Sequence, residues 1–243
     1  MNKYVQRDYR RLHGGGDLLF ERIVVEQSDL HIGTVKPCRD LAMQAIKEAR
    51  RAIKTQIAKN PDFLTSLEPM DYDGKKYNPP VSWMMEAAKL AGVGPMAAVA
   101  GSVSRYVGEQ LSTVSDDVIV ENGGDLFIIT THSRKVSIYA GESPLSHKLA
   151  LVIPVGTWGI CTSAGRVGPS LSFGQADAAV VLAPNCALAD AVATATGNRI
   201  KTPDDLEQAV QFAHNVQGVA GALAIMDDKI AAVGAMQLAP VGG

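Results

Sequence analysis

The sequence predicts an α+β protein with mainly antiparallel or mixed sheets and flanking helices, and three observations support this fold class. Apolar positions with helical spacing lie early in the chain, between residues 42 and 57. Short segments rich in β-branched residues follow from residue 118 onward and are separated by turn residues. A further helix and a hairpin complete the pattern. Because helices and strands are segregated along the chain, a layered α+β domain is favoured over an alternating parallel fold.

The first part of the chain predicts two strands followed by three helices. Residues 18–32 alternate weakly between apolar and polar positions, as paired strands do. The first helix runs through the apolar positions 42–57 and ends at Asn60-Pro61, with a basic opposite side that is typical of a solvated face. Residues 63–80 are expected to be irregular, as a connector or as a lid over a substrate. Two further helices are predicted over residues 82–90 and 95–111.

The rest of the chain predicts short strands around one small-residue helix. Strands are expected at residues 118–121, 126–130, 136–139, 149–153, 158–161 and 178–183. The helix Cys186–Gly197 follows directly after the last of them. Thr202 and Pro203 are typical of the N-cap and first position of another helix. Asp227-Asp228 between two apolar runs predicts a final hairpin.

Composition excludes several classes of function. The chain has 243 residues, of which 47% are hydrophobic and 20% charged, as in globular proteins. A net charge of −2 and 5% aromatic residues argue against a nucleic-acid partner. No segment resembles a signal peptide or a membrane span, and three cysteines without metal-type spacing fit a reducing compartment. We therefore expect a cytoplasmic protein without a membrane partner; no feature specifies its oligomeric state.

The small-residue helix carries two oxygen-bearing side chains on one face. Asp190 and Thr194 are four positions apart, a spacing that places both on the same side of a helix. Their neighbours are mostly Ala and Val, which leave room for a ligand or for another backbone. Oxygen ligands suit a hard cation such as Mg²⁺. The alternative is tight helix packing, which the residues alone favour.

Two glycine-rich segments have similar alternatives. Gly92-Val-Gly-Pro-Met-Ala97 follows a predicted helix rather than a strand, which excludes a dinucleotide-binding fingerprint. It remains a helix start that could meet an anion or pack closely, and packing is favoured. In Glu121-Asn-Gly-Gly-Asp125, the glycines would let a ligand approach while Asp125 binds its hydroxyl or amine groups. The segment is also a strong turn signal, and a hairpin turn is favoured.

A third loop begins at Cys161 and offers weak phosphate-binding chemistry. Thr162, Ser163 and Arg166 could hold a phosphate, or the segment could be a polar surface loop. Cys161 is expected to be a buried thiol without a catalytic role. The five histidines form no local metal pair, and no serine-nucleophile or phosphate-loop motif occurs. No catalytic residue is assigned.

In their order along the chain, four of these segments resemble the ApbE family of FAD:protein FMN transferases, which bind Mg²⁺. Gly94–Gly101 stands in the place of that family's GGIAKG segment, and Asn122–Asp125 is similar to its N-x-GGD turn. Thr162-Ser163 resembles its T-S-G loop, and Asp190–Thr194 resembles its D-A-L-[AS]-T helix. The resemblance spans roughly residues 20–240 and implies a single T-fold-like domain over residues 1–243.

The resemblance also implies a cofactor site. Mg²⁺ would be bound by side-chain oxygens of Asp190 and Thr194 and by main-chain carbonyls of Ala97 and Ala193. The cleft for FAD, FMN or another small nucleotide ligand would be lined by Asn122, Gly123, Gly124, Asp125, Thr162 and Ser163.

The chain departs from the ApbE pattern at two points. Ala98 stands where the family has a lysine, and residues 166–176 lack the family's H-x-x-D-P-x-T-G segment. The closer resemblance is to cytoplasmic ApbE-related proteins of archaea and anaerobic bacteria, some associated with sulfide-dependent homocysteine formation. Three functions remain open. They are a Mg²⁺-dependent flavin or nucleotide transferase or hydrolase, a non-catalytic accessory protein linked to sulfur metabolism, and an assembly component with packed Ala-rich helices.

Overall fold

The computed structural model describes residues 16–71, 73, 76–166 and 173–241. Its strands are β1 (Leu19–Val25), β2 (Ser28–Thr34), β3 (Val118–Asn122), β4 (Asp125–Thr130), β5 (Arg134–Ser137), β6 (Leu149–Ile153), β7 (Gly156–Ser163), β8 (Ala178–Ala183), β9 (Gly221–Met226), β10 (Lys229–Gly234) and β11 (Leu238–Pro240). Its α-helices are α1 (Arg39–Lys59), α2 (Asp62–Thr65), α3 (Val81–Ala91), α4 (Val99–Leu111), α5 (Cys186–Gly197) and α6 (Leu206–Asn215). Short 3₁₀ helices at Pro95–Ala98 and Pro203–Asp205 precede α4 and α6.

The strands form two antiparallel sheets. The larger sheet has eight strands in the order β1-β2-β3-β4-β7-β8-β9-β10, and the smaller has three in the order β11-β6-β5. Every pairing in both sheets is antiparallel. This arrangement confirms the predicted α+β class.

The larger sheet separates two apolar cores. In β8, Ala179, Val181 and Ala183 belong to the core shared with the helices. Val180 and Leu182, which alternate with them, belong to the core shared with the small sheet. Side chains of successive strand residues point to opposite faces, so a strand buried on both faces reads as a continuous apolar run. The layers are therefore helices, large sheet and small sheet.

Helix α5 has the bounds that the sequence predicts. Asn185 caps its N-terminus, because Oδ1 accepts hydrogen bonds from the N–H groups of Ala187 at 3.1 Å and Leu188 at 3.3 Å. All residues of the helix except Thr194 are buried. The small side chains let α5 pack against α3, α4 and β7 at once.

Most predicted elements are confirmed, and the differences are local. The predicted helix 95–111 begins with a 3₁₀ turn because Pro95 starts it, and α4 follows from Val99. The region 63–80, predicted to be irregular, begins within the short helix α2, which covers its first three residues. Residues 72, 74 and 75 of this region lie outside the described part. Strand β11 was not predicted, because three residues are too few for a periodic pattern. No helix among the described residues is long and apolar enough to cross a membrane. The cytoplasmic location remains a prediction.

Candidate functional site

The site predicted around Asp190 lies where α5 crosses the N-terminal end of α4. Gly101 in α4 has no side chain, and a Cβ atom there would lie 2.4 Å from the Cys186 carbonyl oxygen and 2.8 Å from Cβ of Asp190. This close approach lets the Gly101 N–H donate a 2.8 Å hydrogen bond to Oδ2 of Asp190. The carboxyl thus satisfies part of the first turn of α4, where negative charge also suits the helix dipole.

The predicted Asn-Gly-Gly-Asp turn connects β3 and β4. Gly123 and Gly124 have φ angles of 71° and 107°, which residues with a side chain rarely adopt. The Gly124 N–H donates to Oε1 of Glu121 at 2.9 Å, and Nδ2 of Asn122 donates to the Ala100 carbonyl at 3.3 Å. The turn prediction is confirmed, and the turn lies against the same end of α4 that the α5 carboxyl contacts.

Asp125 begins β4 and is buried beside β7. Its Oδ1 accepts the Thr162 N–H at 3.3 Å, and its carbonyl accepts the Ser104 hydroxyl at 3.3 Å. Burial raises the pKa of Asp125 to about 7, and the charge of Glu121 adds to the rise, while hydrogen bonds from Cys161 and Thr162 oppose it. A carboxyl with this pKa gains and loses its proton near neutral pH.

Asp125 and Asp190 form a pair of buried carboxyls, here called the acid pair. Burial raises the pKa of Asp190 well above its ordinary value, the charge of Asp125 raises it further, and the N–H groups of Gly101 and Ala100 oppose the rise. Neither carboxyl has an ion-pair partner among the described residues. Buried carboxyls without a counter-charge are stabilised by a proton or by a bound cation. The acid pair is therefore a place where an external cation would be favourable.

Two cysteines lie beside the acid pair. Sγ of Cys161 is 3.7 Å from Sγ of Cys186, and the Cys186 thiol donates to the Leu126 carbonyl at 3.3 Å. Burial raises the pKa of both thiols. They are held as thiols rather than nucleophilic thiolates, which agrees with the predicted buried thiol at Cys161.

The remaining predicted site residues lie on the elements that enclose the acid pair. Thr194 is half-buried, one turn beyond the α5 carboxyl, and its hydroxyl has no hydrogen-bond partner among the described residues. Ala193 precedes it and is buried. Ser163 ends β7, with Oγ 3.1 Å from the position that a Cβ of Gly197 would take. Ala97 is half-buried in the 3₁₀ turn before α4.

Arg166 is engaged with the chain's own carboxylates. Its Nη1 lies 2.6 Å from Oδ1 of Asp227 and 3.4 Å from Oδ1 of Asp177. Residues 167–170 of the predicted phosphate loop lie outside the described part of the chain. The described geometry therefore directs this guanidinium toward the β9–β10 turn.

The chemistry of the donors can be compared with what Mg²⁺ requires. Within the described ranges, no group of three or more His, Cys, Asp or Glu side chains could hold a metal ion. Around Asp190 the available donors are one carboxyl, the free Thr194 hydroxyl and main-chain carbonyls. These are hard oxygen ligands, which Mg²⁺ accepts alongside water. The residues present fit Mg²⁺ better than a softer metal.

A family model described as AbpE bacteria matches residues 10–232. The chain belongs to this family. Within it, the chain is 42% identical over 198 residues to a UPF0280 protein of Archaeoglobus fulgidus, covering 79% of this chain and 82% of that protein. A UPF0280 protein of Methanothrix thermoacetophila is 36% identical over 230 residues, covering 94% of this chain and 92% of that protein.

Solved structures of ApbE proteins resemble the fold of this AbpE family member. The apo form of Pseudomonas stutzeri flavinyl transferase ApbE aligns with a TM-score of 0.54 and 13% identity, over 89% of this chain and 94% of that chain. The ApbE protein of Thermotoga maritima aligns with a TM-score of 0.56 and 11% identity, over 88% and 96%. At this identity the likeness shows the fold alone, and it confirms the predicted ApbE-like architecture.

Sequence reasoning missed the small residues that allow the site to form. Gly101, Ser104 and Gly108 lie on one side of α4, at positions i, i+3 and i+7. A Cβ at Gly108 would lie 2.1 Å from the Phe127 ring, just as one at Gly101 would clash with α5. This spacing of small residues was the available signal that α4 packs closely against its neighbours.

Proposed function

We propose that the chain binds a flavin nucleotide, or another nucleotide diphosphate, together with Mg²⁺ in the cleft around the acid pair. The observation that carries the proposal is that Asp125 and Asp190 are buried next to each other without a cation from the chain. A bound cation would offset the cost of charging them. The fold shared with the flavin transferases ApbE of Pseudomonas stutzeri and Vibrio cholerae supports a flavin as the nucleotide.

In this proposal Asp190, Thr194 and the carbonyls of Ala97 and Ala193 hold the metal. One Asp190 oxygen already accepts from Gly101, so the other oxygen would serve the cation. When bound, Mg²⁺ would neutralise diphosphate charge and stabilise a leaving phosphate. The half-buried Thr194 hydroxyl has no competing partner among the described residues, which leaves it available.

The nucleotide would lie along the β3–β4 turn and the end of β7. Gly123 and Gly124 carry no side chains and let a ligand approach the main chain closely. Asn122 and Asp125 flank them, and the hydroxyls of Thr162 and Ser163 can donate to phosphate or ribose oxygens; each of these roles is part of the proposal. The chain's part would be to orient the diphosphate between turn and helix.

Asp125 is the group in the cleft best suited to move a proton. Its pKa of about 7 lets it act as a general acid or base at neutral pH. It would take the place of the family histidine that the chain lacks. On this basis we propose a Mg²⁺-dependent transferase or hydrolase with Asp125 in that role.

A non-catalytic accessory function is the second candidate. The observation that favours it is the replacement of the family's lysine and histidine segments by Ala98 and residues 166–176. Such a protein would hold the nucleotide without cleaving it. The predicted link to sulfide-dependent homocysteine formation belongs to this candidate.

Titration calorimetry with FAD, with and without Mg²⁺, tests the binding proposal. FAD is expected to bind only weakly without Mg²⁺ and at least ~10-fold more tightly with it, because the metal screens the diphosphate from the acid pair. Asp190→Asn and Thr194→Val are expected to remove the Mg²⁺ effect. Asp228→Asn, an exposed carboxylate in the β9–β10 turn, is the matched control. Binding that is indifferent to Mg²⁺ in the wild-type chain would contradict the proposal.

Product analysis separates the two candidates. Incubation of FAD and Mg²⁺ with the chain should release AMP if the chain is a hydrolase, because water then cleaves the diphosphate to FMN and AMP. A transferase should release AMP once a hydroxyl-bearing acceptor peptide that takes up the FMN group is added, so the assay includes both conditions. In either case Asp125→Asn should abolish the release while FAD still binds. Tight binding without AMP release supports the accessory function. AMP release that persists in Asp125→Asn would contradict the proposed role of this carboxyl.

A further inference from the structure

A cavity lies away from the acid pair. It has a volume of about 570 Å³ and lies between the end of α1, helix α2, the segment after α2 and helix α3. Its volume is within the range of sites for small metabolites. None of the residues predicted for the flavin cleft lines it.

An amide without a partner lines this cavity. Gln56 is 8% exposed and is the one polar residue on the buried side of α1, where five of the six buried positions are Ala or Ile. Its side chain has no hydrogen-bond partner among the described residues. A buried amide normally bonds to protein or to a bound molecule. The Gln56 amide lines the cavity without a bond to a described residue, so it is available to a ligand there.

The charge of the lining has one sign. Asp62 and Asp71 line the cavity and have no ion-pair partner within the described ranges. Among the described residues, the lining contains no Lys, Arg or His. The field of two unpaired carboxylates attracts a cation and repels an anion. The described lining therefore favours a cation over a nucleotide phosphate as the occupant.

The rest of the cavity provides apolar and polarizable surface. Met70, Tyr77 and Met85 line it, and Met85 is buried in α3. Aromatic faces attract cations, and flexible thioethers adapt to aliphatic chains. A bare metal ion would leave this surface unused. An organic cation with a short hydrocarbon chain matches both parts of the lining.

We propose that this cavity binds a small primary amine whose ammonium group lies among Gln56, Asp62 and Asp71 and whose aliphatic part contacts Met70, Tyr77 and Met85. The ammonium donates to the Gln56 carbonyl oxygen, which gives the buried amide its partner.

The cavity adjoins the cleft through one backbone contact. Ser66 lines the cavity. Its carbonyl oxygen lies so close to the backbone of Gly94 that a side chain at position 94 would overlap it. Gly94 precedes the 3₁₀ turn that contains Ala97. The amine proposal stands without any flavin binding, because it rests on the lining of the cavity alone.

Methionine methyl NMR on the full chain tests this site with three probes of equal length. Pentylammonium is expected to shift the methyl signals of Met70 and Met85 saturably. Pentanol should bind at least fivefold more weakly, and pentanoate more weakly still. Equal affinity for the alcohol and the ammonium, or no saturable shift with pentylammonium, would overturn the proposal.

Two variants and a control locate the ammonium. Asp71→Asn is expected to weaken pentylammonium binding by roughly two- to fivefold, as for an exposed ion pair. Gln56→Leu, which preserves the apolar packing of α1, is expected to weaken it by roughly two- to tenfold through the lost hydrogen bond. Asp228→Asn should retain wild-type affinity. If Asp71→Asn and Gln56→Leu both fold and both bind as the wild type does, the site is not the one proposed.

Discussion

Two groups of buried carboxyls in this molecule differ in whether the chain provides a cation beside them. In the first, here called the arginine cluster, Arg134 is 4% exposed and its Nη2 lies 2.8 Å from Oδ2 of Asp17 and 2.9 Å from Oδ1 of Asp117. In the second, the acid pair, Asp125 and Asp190 have no cation among the described residues. The chain supplies the counter-charge in one place and not in the other.

The pKa shifts show the consequence. Burial alone would raise the pKa of Asp117, but hydrogen bonds from Thr131, Arg134 and Thr130 outweigh it and hold that pKa well below its ordinary value. In the acid pair, burial dominates and raises the pKa of Asp125 to about 7. Asp117 is therefore a permanent anion that ties β3 to β4 and β5, while Asp125 is a group whose charge depends on what binds beside it.

The presence or absence of a counter-charge suggests which buried carboxyls have a structural role and which form a binding site. A carboxyl that is fully partnered stabilises the folded chain and has no capacity for a ligand. A buried carboxyl without a counter-charge lowers stability whenever it is ionised, and such costs are typical of binding sites. The arginine cluster therefore reads as a structural anchor and the acid pair as the site.

Removing the arginine should have the largest effect. Arg134→Leu leaves Asp117 buried without its cation, so we expect a loss of about 3–5 kcal/mol in the free energy of unfolding. Urea denaturation at pH 7 measures it. Arg22→Leu breaks the more exposed pair with Asp29 and should cost no more than about 1 kcal/mol. Equal losses in the two variants would refute an anchoring role for Arg134.

The pH dependence of stability should have opposite slopes at the two groups. Folded Asp125 holds its proton more tightly than the unfolded chain does, so the free energy of unfolding should fall as pH rises from about 4 to about 7. For this one carboxyl, the free energy of unfolding changes by at most ~1.4 kcal/mol per pH unit. Asp117 has a lowered pKa, so its contribution is present above about pH 4 and is lost as pH falls further.

Denaturation curves from pH 3 to pH 8, without divalent cations, measure these slopes. Asp125→Asn should reduce the fall between pH 4 and 7 by the share of this one carboxyl, because Asp190, whose pKa is also raised, still contributes to it. The loss of stability below pH 4 should be unchanged. Asp117→Asn should reduce the loss of unfolding free energy that occurs as pH falls below about 4. A variant at Asp125 that keeps the full neutral-pH slope would mean that this carboxyl does not titrate as its burial implies.

Closing the gap between α4 and α5 should disturb the acid pair specifically. In Gly101→Ala the new Cβ meets the Cys186 carbonyl oxygen and Cβ of Asp190, so the helices must separate. We expect a loss of about 1–3 kcal/mol in the free energy of unfolding, together with loss of FAD and Mg²⁺ binding. Gly108→Ala, also in α4, is a comparison variant whose new Cβ would meet the Phe127 ring instead of α5, so it should lower stability without acting directly on the acid pair. Unchanged stability and binding in Gly101→Ala would show that the contact is not tight.

The smallest change in stability should come from neutralising the α5 carboxyl. Asp190→Asn retains an oxygen that can accept from Gly101 and removes a buried charge, so stability should change by less than about 1 kcal/mol or increase. Asp117→Asn breaks the arginine cluster and should lose more than about 2 kcal/mol. Unfolding curves of the two variants at pH 7 compare them directly. A larger loss for Asp190→Asn would make this carboxyl a structural anchor instead.

Local signals in the sequence were sufficient to predict most of the helices, strands and turns. The Ala-rich segment 186–197 predicts α5 because capping and helix propensity act within a few residues. The two glycines after Asn122 predict the β3–β4 turn because only glycine adopts their φ angles easily. The site residues Asp125, Thr162 and Asp190 could be proposed from such segments and from their order along the chain.

Contacts between distant segments could not be predicted in this way. Arg134 pairs with Asp17 across 117 positions, and Cys161 meets Cys186 across 25. Such pairs depend on how strands order themselves in the sheet, which local spacing does not encode. Gln56 is a polar residue near the end of α1, and only the packing of the helices shows that it is buried.

The central claim is that an external cation supplies the charge that the acid pair lacks. Unfolding free energies at pH 8, with and without saturating Mg²⁺, test it in the wild-type chain and in Asp190→Asn. At a free Mg²⁺ concentration 100-fold above its dissociation constant, the wild-type chain should gain about 2.7 kcal/mol. Asp190→Asn should gain almost none. No gain in the wild-type chain, or the same gain in both, would contradict the claim.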